Sequence, residues 1–520
     1  MRFLNSLSKI FRIIFTVFLV YFIVRLLIYH YQLIIFPYSS TFREAALQST
    51  TSLLLHGINP YAVNLQPQYT NIYGIVYPLI TWPFANLWGQ TLLVHRAVTA
   101  FFVFACCLCM FFVLFKKKVP LLLNISAVVM LYASLLYPGT STPCVDPAAM
   151  GLFFMLLTIF IPYFMEYSRK SLVMSIVCGI IAFYTKLYLV LGLPIMAFYL
   201  FLFVSKKKAV FYSGALCVLF VLSVVVMNKV FPLYFDNCFF THSNYAAEWS
   251  SNERLQSQLK TYFQLHLGVV MLMLGVFIYT VMRVIKSTKW QALNIRILDF
   301  LKRLSLNFEA PLIKVKFPID IFAGICTLLV LVLLLGKHRG ATLWYFFQLF
   351  SPFFLMGVAQ IICLINLWSL IALPFLIFNL YSLTVEHKLD KQMEGWSHIS
   401  SLINSKNEIL CSPIIAPLLI EQNREIFDNG QSEYFLYGGQ RKGFWRSFLK
   451  DDQRSRMAMA IYLSKLRQMI QHKEFDLLIM SGSAPSVKED IMKYYKYMGD
   501  FSVYAPQDRR SYMLSIWVPS

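Results

Sequence analysis

The sequence predicts a polytopic α-helical membrane protein of about eleven helices, two of them short, followed by a C-terminal extracytoplasmic α/β domain. Three observations carry this. Hydrophobic residues fill 58% of the 520 positions and charged residues only 14%, with a mean hydropathy of +0.61, which is more apolar material than a soluble core can bury. The apolar residues fall in runs long enough to cross a bilayer. After Thr384 the composition changes to that of a soluble protein.

Taken in order, runs at roughly 10–36, 91–115, 119–137, 148–165, 209–228, 265–285, 319–335, 342–359 and 360–382 read as spans, since about 20 residues cross the hydrocarbon. The first follows Arg2, Lys9 and Arg12 and lacks a small-residue cleavage site, so it is expected to stay as an anchor with its start inside. Lys116 to Lys118, Arg169 and Lys170, Lys206 to Lys208, and residues 283–316 then share the cytoplasmic side. The run 172–204 lies between two such basic flanks and is too short for two full helices, so it is expected to be a short hairpin. Lys186 stands near its tip. Residues 286–317, basic with apolar residues at helical spacing, read as an amphipathic helix on the inner leaflet.

The net charge of +21 sits mostly in short loops between spans. It therefore reports orientation and implies no nucleic-acid partner. Of the ten cysteines, seven lie in apolar runs and behave as small hydrophobes. Cys144, Cys238 and Cys411 fall in polar segments, which leaves a disulfide between Cys144 and Cys238 open. We read residues 1–385 as the membrane domain, with an outer loop at 37–90 carrying helices of its own, and 386–520 as the α/β domain. In the latter, strands are expected at Glu408–Ser412, Glu425–Phe427, Phe475–Met480, Phe501–Tyr504 and Tyr512–Val518, with helices near Pro413–Gln422, Gln453–His472 and Val487–Tyr497.

Candidate functional residues cluster on the outer side. Glu44 completes Thr41-Phe42-Arg43-Glu44, a capping-box spacing for a helix from Phe42 to His56 that Gly57 would stop. Asp146 precedes Pro147 as an N-cap would. Lys186 is a lone ammonium in an apolar run, which is costly unless it meets water or an anion. Lys337, His338 and Arg339 put positive charge on the side that should lack it, so a phosphate is the natural partner. Asn59, Tyr61, Tyr73 and Tyr77 line a sugar or lipid pocket, or else form an interfacial aromatic belt. The histidines are scattered, and only His266, at the start of a span, is placed to face a cavity.

The order of these features resembles the first outer loop of GT-C polyprenyl-phosphate-sugar-dependent membrane glycosyltransferases: Glu44, then Gly57-Ile58-Asn59-Pro60-Tyr61, then Tyr73-Gly74 and Tyr77-Pro78. Gly340, Tyr345, Leu349 and Pro352 resemble a continuation seen in bacterial members of the protein O-mannosyltransferase-like and dolichyl-phosphate-mannose-type group. The resemblance implies that Glu44 is the catalytic base and that Asp146 assists it. Lys186, Lys337, His338 and Arg339 would bind the donor phosphate, with Tyr345 in the substrate pocket. A divalent cation, Mg or Mn, would lie on Glu44 and Asp146 if on anything, although no metal-ligand spacing occurs in the sequence. The reaction implied is transfer of a hexosyl or pentosyl group from a polyprenyl-phosphate donor to a hydroxyl of a lipid-linked, glycan or protein acceptor. It would invert the anomeric carbon on the extracytoplasmic face of a bacterial inner membrane, in a chain whose N-terminus is cytoplasmic. The rival reading is a lipid-linked-sugar flippase or other transporter, but the repeated halves expected of one are not seen.

Overall fold

The computed structural model describes residues 2–138, 143–241, 243–244, 251–286, 310–313, 317–337, 343–363, 368–383, 393–435, 440, 446–481 and 487–520. The amphipathic stretch expected over 286–317 falls almost wholly outside these residues, as do His338 and Arg339.

The membrane helices follow the apolar runs. They are α1 (Arg2–Ile35), α4 (Leu92–Lys116), α5 (Leu121–Leu136), α6 (Ala148–Phe164), α7 (Arg169–Thr185), α8 (Gly192–Tyr199) and α9 (Lys206–Val230), with α2 (Glu44–Leu55) and α3 (Val76–Trp88) in the first outer loop. Then come α10 (Asn252–Leu265), α11 (Leu267–Lys286), α12 (Ile319–Leu333), α13 (Ser351–Cys363) and α14 (Trp368–Leu383). Among the described residues, five helical stretches are long and apolar enough to cross a membrane, Ser6–Ile35, Leu92–Lys116, Leu187–Val204 (through α8), Lys206–Val230 and Phe346–Cys363 (through α13), and α10 with α11 make a sixth candidate bent by 82°. Four more apolar helices are shorter.

The hairpin expected between the basic flanks is present. α7 ends at Thr185, Lys186 is extended at φ −156°, and a 3-10 turn, Leu187–Leu191, starts the return through α8. One extended residue between two helical segments turns its side chain out of both, which is how an ammonium is delivered to one point inside an apolar hairpin.

α2 ends as its sequence predicts. Gly57 takes φ +69°, the Ile58 amide reaches the Leu53 carbonyl and the Gly57 amide the Leu54 carbonyl, the paired bonds that let a left-handed glycine close a helix. Its start differs from the expected capping box. The Thr41 hydroxyl turns away to Asp508, while the Glu44 carboxylate reaches back to the Ser40 amide.

The C-terminal part contains α15 (Glu394–Asn404), β1 (Ile409–Cys411), α16 (Ala416–Glu421), α17 (Gln453–Gln471), β2 (Leu477–Ser481), α18 (Lys488–Tyr494), β3 (Tyr495–Ala505) and β4 (Arg510–Pro519). The sheet order is β1-β2-β4-β3, with β1 parallel to β2 and the other pairs antiparallel. The strand expected at Glu425–Phe427 does not form. The carbonyls of Ile426 and Phe427 accept from the Gln68 amide and the Tyr462 hydroxyl, so this stretch docks on side chains instead of joining the ladder.

One apolar cluster of this part, built on Trp396, Ile414 and Leu419, also takes in Phe36, just past the end of α1, and Ala45 of α2 in the first outer loop. Tyr38 stacks on Trp396 at 5.0 Å. The outer loop is thus held between the membrane helices and the C-terminal part.

Candidate functional site

Beneath the outer loop lies a buried ion pair. Glu44 and Arg96 are both 0% exposed. The Arg96 Nε and Nη2 donate to the two carboxylate oxygens at 2.9 and 2.8 Å, the two-point geometry that suits a guanidinium. The remaining Arg96 donors meet the carbonyls of Leu33, Phe36 and Tyr38 and the Ser40 hydroxyl. Glu44 also accepts from the Ser40 amide at 2.7 Å and the Val145 amide at 3.1 Å. The carboxylate therefore ties the end of α1, the start of α2, α4 and the segment before α6 into one knot. Arg96 escaped the sequence reading although it carries a signal: a lone charge at the head of an apolar run.

Next to this knot lies a second buried ion pair. Lys186 Nζ sits 3.1 and 3.3 Å from the Asp146 oxygens, with side-chain exposures of 10% and 4%. Asp146 Oδ1 also accepts from the Ala148 amide at 2.6 Å, so it does serve the start of α6 as expected. Pro147 occupies the cap position itself. The Val145 amide on Glu44 fixes the residue preceding Asp146, and the two acidic residues are thereby linked.

Aromatic rings surround the ammonium. Lys186 Nζ lies 5.6 Å from the Tyr73 and Trp344 ring centroids and 5.7 Å from that of Tyr188. The Arg43 guanidinium stands over the same indole at 4.3 Å. Tyr345 packs edge-on against Tyr188 at 4.6 Å, and the Tyr188 hydroxyl donates to Gln348. Both cations stand against the Trp344 ring, where the ring quadrupole attracts them, and the Asp146 carboxylate pairs with Lys186. Arg43 and Trp344 were also missed. Arg43 lies inside the Thr41–Glu44 motif and Trp344 directly precedes Tyr345, but neither breaks a pattern alone.

Gly74 explains how the loop reaches this pocket. Its amide donates to the Thr185 carbonyl at 3.3 Å, and a Cβ there would lie 1.8 Å from the Tyr184 carbonyl oxygen. Only a glycine lets Tyr73 approach the residue before the Lys186 break so closely.

The other expected pocket residues lie elsewhere. Asn59 donates to the Val230 carbonyl and accepts from the Tyr61 amide. The buried Tyr61 hydroxyl donates to the Tyr73 carbonyl. That of Tyr77 donates to the His95 carbonyl. These three shape the loop from behind. His266 is buried at the α10–α11 bend, its Nδ1 3.3 Å from the Asn379 amide nitrogen. Lys337 lies in a 3-10 turn whose carbonyl accepts from Ser251. The disulfide left open between Cys144 and Cys238 does not form: neither sulfur is bridged, and they contact the Ser40 hydroxyl and the Tyr73 carbonyl respectively.

The donor set does not fit a metal. Among the described residues no three His, Cys, Asp or Glu side chains come together. Each acidic residue of the site already faces a cation, Glu44 on Arg96 and Asp146 on Lys186. A divalent ion would have to displace both.

No family model matches the chain, and no curated protein sequence matches it. Two solved structures share its fold. ArnT from Cupriavidus metallidurans, bound to undecaprenyl phosphate, has a TM-score of 0.53 at 10% identity, over 95% of this chain and 97% of that one. The apo form of the same protein gives 0.52 at 10% identity, over 96% and 98%. From end to end, then, this chain shares the fold of ArnT.

Proposed function

We propose that the protein is a membrane glycosyltransferase. It moves a sugar from a polyprenyl-phosphate donor to an acceptor hydroxyl at the outer face of the membrane, inverting the anomeric carbon and releasing polyprenyl phosphate. The observation that carries this is the Asp146–Lys186 pair under Arg43, Tyr73, Trp344 and Tyr345. A carboxylate beside two cations suits displacement at a phosphorylated carbon, in which the base takes a proton and the cations receive the leaving phosphate.

In this reading the roles of the two acidic residues differ from the sequence expectation. Glu44 has both oxygens on Arg96 and no exposure, so it anchors the segment before Asp146. Asp146 is the base. Its contact with Lys186 is the resting arrangement. A phosphate diester arriving between Lys186 and Arg43 draws the ammonium away and leaves the carboxylate to accept the acceptor's proton. Tyr345, Tyr73 and Trp344 offer ring faces to the sugar or the first isoprene units. His338 and Arg339, outside the described residues, remain candidates for the same phosphate, as does Lys337.

An apolar groove of about 790 Å³ along α4, α5 and α6, lined by Phe101, Phe104, Leu108, Phe153 and Leu157, supports a lipid-tailed donor. Residues 1–385 are the catalytic part in this reading, and 386–520 cover the loop from the acceptor side.

The test is sugar transfer by purified protein in vesicles supplied with labelled polyprenyl-phosphate sugars, comparing native protein with Asp146→Asn and Lys186→Gln. Native protein releases polyprenyl phosphate. Asp146→Asn binds donor without turnover, and Lys186→Gln loses donor affinity. If native protein is inert with every donor while labelled lipid crosses the bilayer, the flippase reading replaces this one.

A further inference from the structure

A second surface, away from the Asp146–Lys186 pocket, has the chemistry of a lipid interface. From Gln440 to Lys465 the sequence carries seven cations (Arg441, Lys442, Arg446, Lys450, Arg454, Arg456 and Lys465) and two anions (Asp451 and Asp452), a net charge of +5 by that count. In the sequence, Phe444, Trp445, Phe448 and Leu449 are interleaved among them, residues 441–445 lying outside the described residues. Basic and bulky apolar residues in alternation are what an anionic membrane surface selects.

The structure orients the described part of this stretch. Asp452 accepts the Arg454 amide at 3.0 Å and starts α17 there. On one side of the helix Met459, Tyr462 and Leu463 pack with Tyr234, Phe231 and Phe235. These residues directly follow α9, so α17 is moored where that helix ends. On the other side Met457 is 67% exposed and Ile461 59%, four residues apart on one face. Arg454, one turn before them, turns its Nε back onto Asp452 at 3.0 Å, while Lys465, one turn after, can lay its stem along apolar neighbours and keep its charge in the headgroups. Phe448, 68% exposed, and Leu449 extend the patch before the helix.

The patch is moored to a lipid-facing surface. α9 exposes Val218, Val221, Leu222, Val225, Val226 and Val230 along its length. It shares the cluster that holds α17 through Phe220 and Met227. We infer that Phe448, Leu449, Met457 and Ile461, with the cations around them, dock the C-terminal part onto an anionic lipid leaflet at the outer end of α9. Its occupant is bilayer lipid, recognised by negative headgroups and an apolar interior together, and the inference does not depend on the reaction proposed above.

The test uses the full chain in nanodiscs, with a fluorescent amino acid incorporated at position 448 or 461. The quenchers are lipids brominated on the acyl chain and, separately, aqueous iodide. In phosphatidylglycerol-containing discs, chain bromine quenches both positions severalfold more than iodide does. The double variant Arg446→Glu/Lys450→Glu reverses that order at 448 while leaving it intact for a label within α9 at Val225, which shows that the protein is still inserted. Strong iodide quenching with none from chain bromine overturns the inference. So does protection from both quenchers together with cross-linking between copies through position 457, which would assign the patch to a second copy of the chain. Depth that is indifferent to the charge reversal overturns the anionic-lipid assignment.

Discussion

Replacing Glu44 by Gln separates an anchor from a base. Both oxygens of Glu44 take guanidinium donors, and two backbone amides complete the shell, all without exposure to solvent. Gln keeps the size and one acceptor but turns an amide NH2 toward a cation that is itself fully buried. Breaking one side of a buried pair costs about 3–5 kcal/mol. Arg96 keeps three carbonyls and a hydroxyl, so the lower end applies. About 3 kcal/mol is roughly a hundredfold in the folding equilibrium, well above the roughly 1 kcal/mol expected for loss of an exposed helix cap. Arg96→Met should cost more than Glu44→Gln, because it strands those carbonyls as well as the carboxylate, at about 1–3 kcal/mol for each buried group left without a partner. Thermal and denaturant unfolding in detergent, followed by tryptophan fluorescence, measures both. A Glu44→Gln protein that melts like the native one yet has lost all turnover would refute the anchor and return Glu44 to the role of base.

Gly74→Ala should reduce turnover by at least tenfold and loosen donor binding, because its Cβ would displace the Tyr184 and Thr185 carbonyls that precede Lys186; donor titration and transfer assays check this. Asp508 accepts from the Thr41 hydroxyl at 2.9 Å and the Phe42 amide at 3.3 Å, just ahead of Arg43. Asp508→Ala should therefore raise KM for donor more than it lowers kcat, with Asp508→Asn partly restoring it. The Asp476 carboxylate is held below its ordinary pKa chiefly by the amides of Asn407 and Glu408. A depressed carboxylate pKa contributes stability that is present above the unfolded value, about 3.9, and lost as pH falls through the folded one. Asp476→Asn should thus melt below the native protein at neutral pH and converge with it in acid, as melting curves across pH would report.

Much of this architecture is legible in the sequence because its causes are local. A bilayer demands long apolar runs with internally satisfied backbone, so the spans, the hairpin around Lys186 and the switch to a soluble composition after Thr384 can be read directly. Gly57 ends α2 for a reason its own conformation supplies. Asp146 and Lys186 stand out because a charge beside or within apolar chain needs a reason. Their pairing across 40 residues belongs to the tertiary structure. So does the fate of Glu44: nothing near it in the chain shows that Arg96, 52 residues on, takes its charge. The extended stretch at Glu425–Phe427 has strand-like residues, yet its carbonyls are claimed by Gln68 and Tyr462. Local propensity sets which segments can form helix or cross lipid. Which cation meets each carboxylate depends on what distant segments bring to it, since a buried charge is stable only with the partner that folding delivers.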